Sequence, residues 1–209
     1  GDYIFEDLND DGVIDEKDRT YLGNPEPKFS YGFNNTFSYK GFDLNIFING
    51  VYGNKVVNLL RKEFTNPMKN SGMLKEATNI ARVGLIDPTQ SATLSNVYVL
   101  NTGSAEVQRI TASDANDNNR MSSRFVEDGS YLRIKNISLG YTFPKKWISR
   151  LNIDNLRVYM NIQNAFTFTK YKGYDPEVGA YNYDVLTRGI DNARYPSQRI
   201  YTFGLNLSF

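Results

Sequence analysis

The chain has 209 residues and a formal net charge of +1, and it contains neither Cys nor His. These values exclude disulfides, thiolate and imidazole metal sites and Ser-His nucleophiles, and they give no electrostatic case for binding nucleic acid. No apolar run approaches the roughly 18 residues of a transmembrane helix, yet the chain has 15 Tyr and 13 Phe. Abundant aromatic residues are typical of strands whose ends lie at a membrane interface.

The first feature in chain order is an acidic loop, DLNDDGVIDEKD, at residues 7–18. Its spacing follows a calcium loop, in which oxygen ligands recur at alternate positions and Gly12 allows a sharp turn. The twelfth position is Asp rather than Glu, so bidentate closure requires the backbone to come closer. We expect Ca²⁺ to have a structural role here, and the alternative is a solvated acidic turn. The expected ligands are Asp7, Asn9, Asp11, the Val13 carbonyl, Asp15 and Asp18.

Two alternating segments predict a hairpin of long strands at residues 29–39 and 42–52. Apolar and polar residues alternate in both segments, and this is the period of a strand with one apolar face. Lys40-Gly41 predicts the tight turn between them. Asn35 interrupts the apolar face of the first strand, and we expect a bulge at Asn34-Asn35 to account for it.

Three further strands are predicted at residues 131–143, 156–166 and 199–209. In the segment 131–143, apolar residues occupy even-numbered positions up to Ile134 and odd-numbered positions from Ile137 onwards. A bulge near Lys135-Asn136 would bring both sets to one face of the strand. The last strand ends the sequence on Phe209 after a strict apolar alternation. Such a terminus is unfavourable in water, and it suits the closing strand of an outer-membrane barrel.

The connections between the predicted strands alternate in length. Two are short, at residues 40–41 and 144–155, whereas the segments 1–28, 53–129 and 167–198 are long. Short turns that alternate with long outer loops are typical of outer-membrane barrels. We therefore predict an all-β fold in which about five antiparallel strands form part of a large transmembrane barrel, incomplete on its own, with long extracellular loops.

Tyrosines cluster in the last long segment. Aromatic rings can stack on the apolar faces of sugars, so these tyrosines are weak candidates for substrate binding. The alternatives are an aromatic belt at the membrane interface or contacts with a partner protein. The four residues are Tyr171, Tyr174, Tyr181 and Tyr183.

Several sequence blocks also resemble a known family. They are the acidic loop, residues 23–42 (GNPEPKFSYGFNNTFSYKGF), residues 128–144 (DGSYLRIKNISLGYTFP), residues 161–166 (NIQNAF) with residues 174–177 (YDPE), and Tyr195-Pro196 before the final strand. In this order the blocks resemble the C-terminal part of the SusC/RagA-like TonB-dependent outer-membrane transporters. The resemblance covers nearly the whole chain.

The resemblance implies a 22-stranded barrel with a plug, in the outer membrane of a Gram-negative bacterium. It implies contact with lipid and with the remainder of the same barrel, and a SusD-like surface lipoprotein on the outer side. It also implies import of glycans or peptides, driven by the TonB complex through a plug that this sequence lacks. No signal peptide opens the chain at Gly1-Asp2-Tyr3, so we expect it to begin inside a longer polypeptide.

Two other classes of function are alternatives to a transporter. The first is a secreted, calcium-stabilised β-module that binds glycan or a partner protein. The second is a hydrolase that uses paired carboxylates. Nothing in the sequence pairs the loop carboxylates, so we expect no catalysis. The net charge of +1 and the lack of a basic patch lead us to expect no nucleic-acid partner. The carboxylates considered are Glu106, Glu127, Asp128, Asp175 and Glu177.

Overall fold

The computed structural model describes residues 1–69, 72–179 and 187–209. This part of the chain is dominated by β-strands, and none of its helices is long and apolar enough to cross a membrane. The helices are α1 (Leu59–Phe64), α2 (Lys145–Ile148) and 3₁₀ turns at Glu16–Asp18, Lys75–Thr78, Leu94–Asn96, Ser123–Phe125 and Ser149–Leu151. The strands are β1 (Phe29–Tyr39), β2 (Phe42–Tyr52), β3 (Lys55–Asn58), β4 (Val83–Leu85), β5 (Val97–Val99), β6 (Val126–Asp128), β7 (Tyr131–Thr142), β8 (Asn155–Thr169), β9 (Ile190–Asp191) and β10 (Ile200–Ser208).

The five long strands form one antiparallel sheet in the order β1-β2-β7-β8-β10. β1 and β2 are joined by the predicted tight turn, in which Lys40 and Gly41 both have positive φ, at 44° and 89°. These are the dihedral angles that a two-residue hairpin of the primed type requires. Two smaller sheets have the orders β6-β3-β9 and β4-β5.

The predicted bulge at Asn34-Asn35 is wrong. β1 and β2 pair without interruption from Phe29 opposite Tyr52 to Tyr39 opposite Phe42. Asn35 therefore keeps its place on the apolar face, opposite Ile46.

The predicted bulge near Lys135-Asn136 is confirmed. Ile134 and Asn136 of β7 each pair with residues of both neighbouring strands. Lys135, which lies between them, is left out of both ladders, and the register shifts at this point. On β8, the corresponding irregularity includes Asn164, which has φ of 50°. Because the pairing shifts here, the apolar residues on either side of the bulge return to one face.

Near the middle of the main sheet, adjacent cross-strand rows carry side chains of opposite polarity. One cross-strand row runs Phe37–Leu44–Leu139–Met160–Phe203, and the next row runs Thr36–Asn45–Ser138–Asn161–Thr202. Successive side chains of a strand point to opposite faces, so the two rows lie on opposite sides of the sheet. The apolar side remains exposed, with Phe203 at 75% and Phe37 at 58% of full exposure.

The chain divides into two compact units. The loop unit consists of Gly1–Gly23 and Val57–Val126, and its buried apolar residues include Leu60, Val107 and Phe125. The strand unit consists of Asn24–Val56 and Glu127–Phe209 and contains the main sheet.

Candidate functional site

The acidic loop at residues 7–18 is folded around its own carboxylates. Asp7 Oδ2 accepts the Gly12 N–H at 2.7 Å, and Asp11 Oδ1 accepts the Val13 N–H at 3.0 Å. Asp18, in the twelfth position, accepts the N–H groups of Leu8 and Asp15 at 2.8 and 2.7 Å. Gly12 has φ of +80°, which favours glycine and allows the turn that the motif requires.

Negative charge is stabilised in this loop. Hydrogen bonds from the Asn9 side chain and the Val13 N–H hold the pKa of Asp11 below its usual value. Hydrogen bonds from the N–H groups of Asp15 and Leu8 do the same for the pKa of Asp18. The Lys17 ammonium lies 3.3 Å from Asp11 Oδ2 and 3.9 Å from Asp15 Oδ2. A cation therefore already sits beside two of the expected ligands.

One buried side-chain oxygen of the loop has no donor among the described residues. Asp7 Oδ1 is buried and accepts no hydrogen bond from the described residues. Within the same ranges, no three His, Cys, Asp or Glu side chains are grouped in a way that could hold a metal ion. The loop also offers the Asn9 amide oxygen and the Val13 carbonyl, both of which are oxygen ligands suited to Ca²⁺.

A second polar cluster lies on the polar face of the main sheet. Arg157 on β8 reaches across β7 to Asp43 on β2, with its Nε 3.1 Å from Asp43 Oδ1. Gly140 lies between them on β7, and a Cβ there would lie 2.4 Å from Arg157 Nη2 and 2.6 Å from Asp43 Oδ1. The absence of a side chain at Gly140 is what lets this ion pair span three strands.

A third cluster is centred on Arg133 of β7, which is 2% exposed. Its Nη1 donates to Glu177 Oε2 at 2.7 Å, its Nη2 donates to Asp175 Oδ1, and its Nε donates to Thr167 Oγ1 at 2.9 Å. Lys135 Nζ also lies 3.0 Å from Glu177 Oε2. Sequence reasoning missed this cluster. In the sequence, Arg133 is a charged residue at a polar position of an alternating strand. This pattern places Arg133 on the polar face but does not identify its partner.

Asp175 is 5% exposed and remains ionised. Burial alone would raise its pKa, but the N–H groups of Ser197 and Glu177 and the Arg133 guanidinium lower the pKa to about 2. Asp175 and Glu177 are thus brought together as the two acceptors of one guanidinium. Two other carboxylates lie on β6: Glu127 accepts the N–H of Lys172, which is 45 residues further along the chain, and Asp128 accepts the Ser130 hydroxyl.

The tyrosine candidates occupy different environments. Tyr171 is 6% exposed, and its hydroxyl donates to Asp191 Oδ2 at 2.6 Å. Burial and this carboxylate raise the pKa of Tyr171 far above its usual value. Its ring therefore lies in the core of the strand unit and has no free face for a sugar, whereas Tyr174 is 64% exposed. Tyr181 and Tyr183 lie outside the described residues.

Comparison with known proteins identifies relatives along the whole chain. TonB-dependent receptor P3 of Formosa agariphila is 33% identical over 214 residues, which cover 100% of this chain and 19% of the receptor. TonB-dependent receptor SusC of Bacteroides thetaiotaomicron is 31% identical over 99% of this chain and 17% of its own length. The chain thus spans about a fifth of the length of these relatives. No protein-family model matches the sequence.

Solved structures share the fold. A structure of the RagAB peptide transporter matches 90% of this chain and 18% of its own, with a TM-score of 0.64 and 23% identity. The RagAB peptide importer in its closed-closed state matches 95% of this chain, with a TM-score of 0.65 and 22% identity. In sequence and in fold, the chain is therefore a segment of the SusC/RagA-like TonB-dependent receptors.

Proposed function

We propose that this chain is a barrel-wall and outer-loop segment of a TonB-dependent importer in the outer membrane of a Gram-negative bacterium. The observation that carries this proposal is the five-strand sheet with one apolar and one polar face. The apolar row through Leu44 and Leu139 would face lipid, and the polar row through Asn45 and Ser138 would face the lumen. Water would leave such an apolar face unfavourably exposed.

The aromatic residues at one end of the sheet support this orientation. Phe42 and Tyr141 are neighbours with ring centroids 4.5 Å apart, and Phe143 lies 4.9 Å from Tyr141 and 6.4 Å from Trp147. Trp147 is 59% exposed and follows the basic pair Lys145-Lys146. Trp and Tyr at the headgroup level beside snorkelling lysines are typical of a membrane interface.

The proposed importer works with other components. By analogy with its relatives, a SusD-like surface lipoprotein would meet the long outer segments, and the TonB complex would act through a plug that this chain does not contain. The remaining strands of a 22-stranded barrel would pair with β1 and β10. The substrate class proposed from the family is a glycan or a peptide, and the chain itself supplies no catalytic step.

The test is fractionation of cells that produce the native polypeptide. We expect it in the outer-membrane fraction, extracted only with detergent, with an intact mass several times that of this chain and with a lipoprotein that copurifies. A polypeptide of about the mass of this chain in the detergent-free soluble fraction would contradict the proposal. It would instead favour a secreted β-module.

We also propose that the acidic loop binds Ca²⁺ as a structural ion. The specific observation in favour is Asp7 Oδ1, a buried oxygen without a donor among the described residues. A carboxylate that accepts one hydrogen bond keeps further lone pairs for a cation. When bound, the ion would neutralise the clustered carboxylates and would replace Lys17 as their counter-charge. The residues that would hold it are Asp7, Asn9, Asp11, Val13 through its carbonyl, Asp15 and Asp18.

Calorimetric titration of the chelator-treated complete protein with CaCl₂ tests this site. We expect Asp7→Asn to weaken Ca²⁺ binding at least tenfold, because a charged ligand is lost, and Lys17→Met to strengthen it, because a competing cation is lost. Asp10→Asn is the matched control, since Asp10 lies in the same loop between ligand positions and Asn tolerates its φ of 58°. Equal weakening by Asp10→Asn, or no Ca²⁺ binding by the wild type, would contradict the proposal.

A further inference from the structure

The two short connections of the main sheet lie side by side. The Thr142 N–H donates to the Gly41 carbonyl at 2.8 Å, so the turn between β1 and β2 abuts the end of β7. A Cβ on Gly41 would lie 2.6 Å from the Thr142 carbonyl oxygen, so the two backbones are in close contact. The connection from β7 to β8 begins directly afterwards, at Pro144. Residues 40–41 and 144–155 therefore meet at one end of the sheet, and we call them the turn surface.

Positive charge exceeds negative charge on the turn surface. Four cations and one carboxylate give it a net charge of +3. These residues are Lys40, Lys145, Lys146, Arg150 and Asp154. The carboxylate of Asp154 lies 3.5 Å from Lys145. In the part of the chain that the structure describes, Lys146 and Arg150 are exposed and form no ion pair, so both can meet an external anion.

Aromatic rings border these cations on the apolar side of the sheet. Tyr39, Phe42 and Tyr141 form one cross-strand row, which is the next row on that side after Leu44 and Leu139. The Lys40 Nζ lies 5.2 Å from the centroid of the Tyr39 ring. Cations and aromatic rings thus meet where the apolar side of the sheet ends.

Trp147 is held at the same border. Its N–H donates to the Pro144 carbonyl at 2.9 Å, and its ring centroid lies 6.4 Å from that of Phe143. The next residue, Ile148, is buried and anchors α2, whereas Trp147 itself is exposed. A rigid indole beside free cations suits the level of lipid headgroups, because its body is apolar and its N–H is polar.

A single kind of ligand combines the chemistries that this surface accepts. An anionic phospholipid presents a phosphate to cations and acyl chains to an adjoining apolar surface. A zwitterionic phospholipid adds an ammonium group, which the excess of cations repels. An acidic protein in water could meet the cations, but the rings beside them continue the side that faces lipid in the proposed importer. These properties favour an anionic lipid.

We propose that the turn surface binds the headgroup of an anionic phospholipid in the periplasmic leaflet of the outer membrane. Lys146 and Arg150 contact its phosphate, and Trp147 packs against its glycerol region. The inference rests on the proposed importer function, in which short turns lie on the periplasmic side. It adds a preferred lipid at one end of the barrel wall.

The test uses the complete protein in nanodiscs that contain phosphatidylglycerol and phosphatidylethanolamine in equal amounts. After extraction in mild detergent, the lipids that stay bound are quantified by mass spectrometry. We expect the wild type to retain phosphatidylglycerol about fivefold over phosphatidylethanolamine. Lys146→Gln/Arg150→Gln should reduce the retention of phosphatidylglycerol about tenfold, since each cation near an anionic headgroup strengthens binding several-fold.

Lys75→Gln/Arg82→Gln is the matched control. It removes one Lys and one Arg from exposed positions of the loop unit, away from the turn surface, so phosphatidylglycerol retention should not change. Lys146→Arg/Arg150→Lys keeps both charges and should retain the lipid within about twofold. All variants should keep the heat-modifiable band of the folded barrel, because the substituted side chains are exposed.

Three results would overturn the inference: no preference for phosphatidylglycerol in the wild type, equal loss in the matched control, or full retention by Lys146→Gln/Arg150→Gln. Cell fractionation tests the importer function separately. An outer-membrane polypeptide that shows no preference for phosphatidylglycerol would refute the lipid site alone, so the two failures are distinguishable.

Discussion

Arg133 joins two carboxylates that lie 42 and 44 residues further along the chain. Because Arg133 and Asp175 are both almost fully buried, neither can exchange its partner for water. Removal of one charge from such a pair leaves the other uncompensated, at a cost of about 3–5 kcal/mol. We infer that the cluster holds the loop after β8 against β7.

The ionisation of Asp175 makes stability depend on pH. Its pKa is about 2 in the folded protein, against an ordinary value of 3.8. The stabilising contribution is therefore complete above about pH 4, is lost as the pH falls towards 2, and amounts to about 2 kcal/mol. We expect the stability difference between wild type and Asp175→Asn to shrink over this interval, measured by denaturant unfolding at a series of pH values.

The control for this experiment is Asp154→Asn. Asp154 is a carboxylate whose side chain is 69% exposed and pairs with Lys145 at 3.5 Å. Surface pairs of this kind contribute little to stability. A difference between wild type and Asp175→Asn that stays constant from pH 5 to pH 2 would contradict the role assigned to Asp175.

The two faces of the long strands carry side chains of different polarity. The row through Leu44, Leu139 and Met160 continues the apolar side across strand boundaries, and the row through Asn45, Ser138 and Asn161 continues the polar side. A sheet in water with one covered face would bury its apolar side. Here that side is exposed, which agrees with the proposal that lipid covers it.

A charge on the apolar side should be costly if that side faces lipid. Ile46 lies near the middle of β2 on this side, so Ile46→Arg should destabilise the complete protein by about 2–4 kcal/mol. Asn45→Arg, on the neighbouring polar position, should cost markedly less. Loss of the heat-modifiable band at increasing urea concentrations measures both variants. Equal destabilisation by the two substitutions would refute the assignment of the faces.

At the scale of the whole molecule, the main sheet is open. Among the described residues, β1 pairs only with β2 and β10 pairs only with β8, so both edges carry unpaired backbone groups. Each unpaired N–H or C=O costs several kcal/mol in lipid, and a spanning sheet must close into a barrel. The relatives, which are about five times longer, have the length to supply the missing strands.

The 209-residue segment produced alone should therefore fail to insert into a membrane. We expect aggregates without a heat-modifiable band after refolding with detergent or vesicles, whereas the complete polypeptide should give a folded, protease-resistant barrel. Electrophoresis of unheated and heated samples compares the two. A stable barrel formed by the segment alone would show that the open edges can pair with each other or between copies.

The sequence by itself determined the long strands, the hairpin turn and the bulge at Lys135, because alternation and turn chemistry are local properties of the backbone. The resemblance to the transporter family was also carried by short, contiguous blocks of sequence. Tertiary structure alone decided that Asn35 stays on the apolar face and that Arg133 meets Asp175. These contacts join residues far apart in the chain, so they depend on strand register and on how the long connections fold. Alternation specifies which face a side chain occupies, but it carries no information about the partner that the side chain meets there.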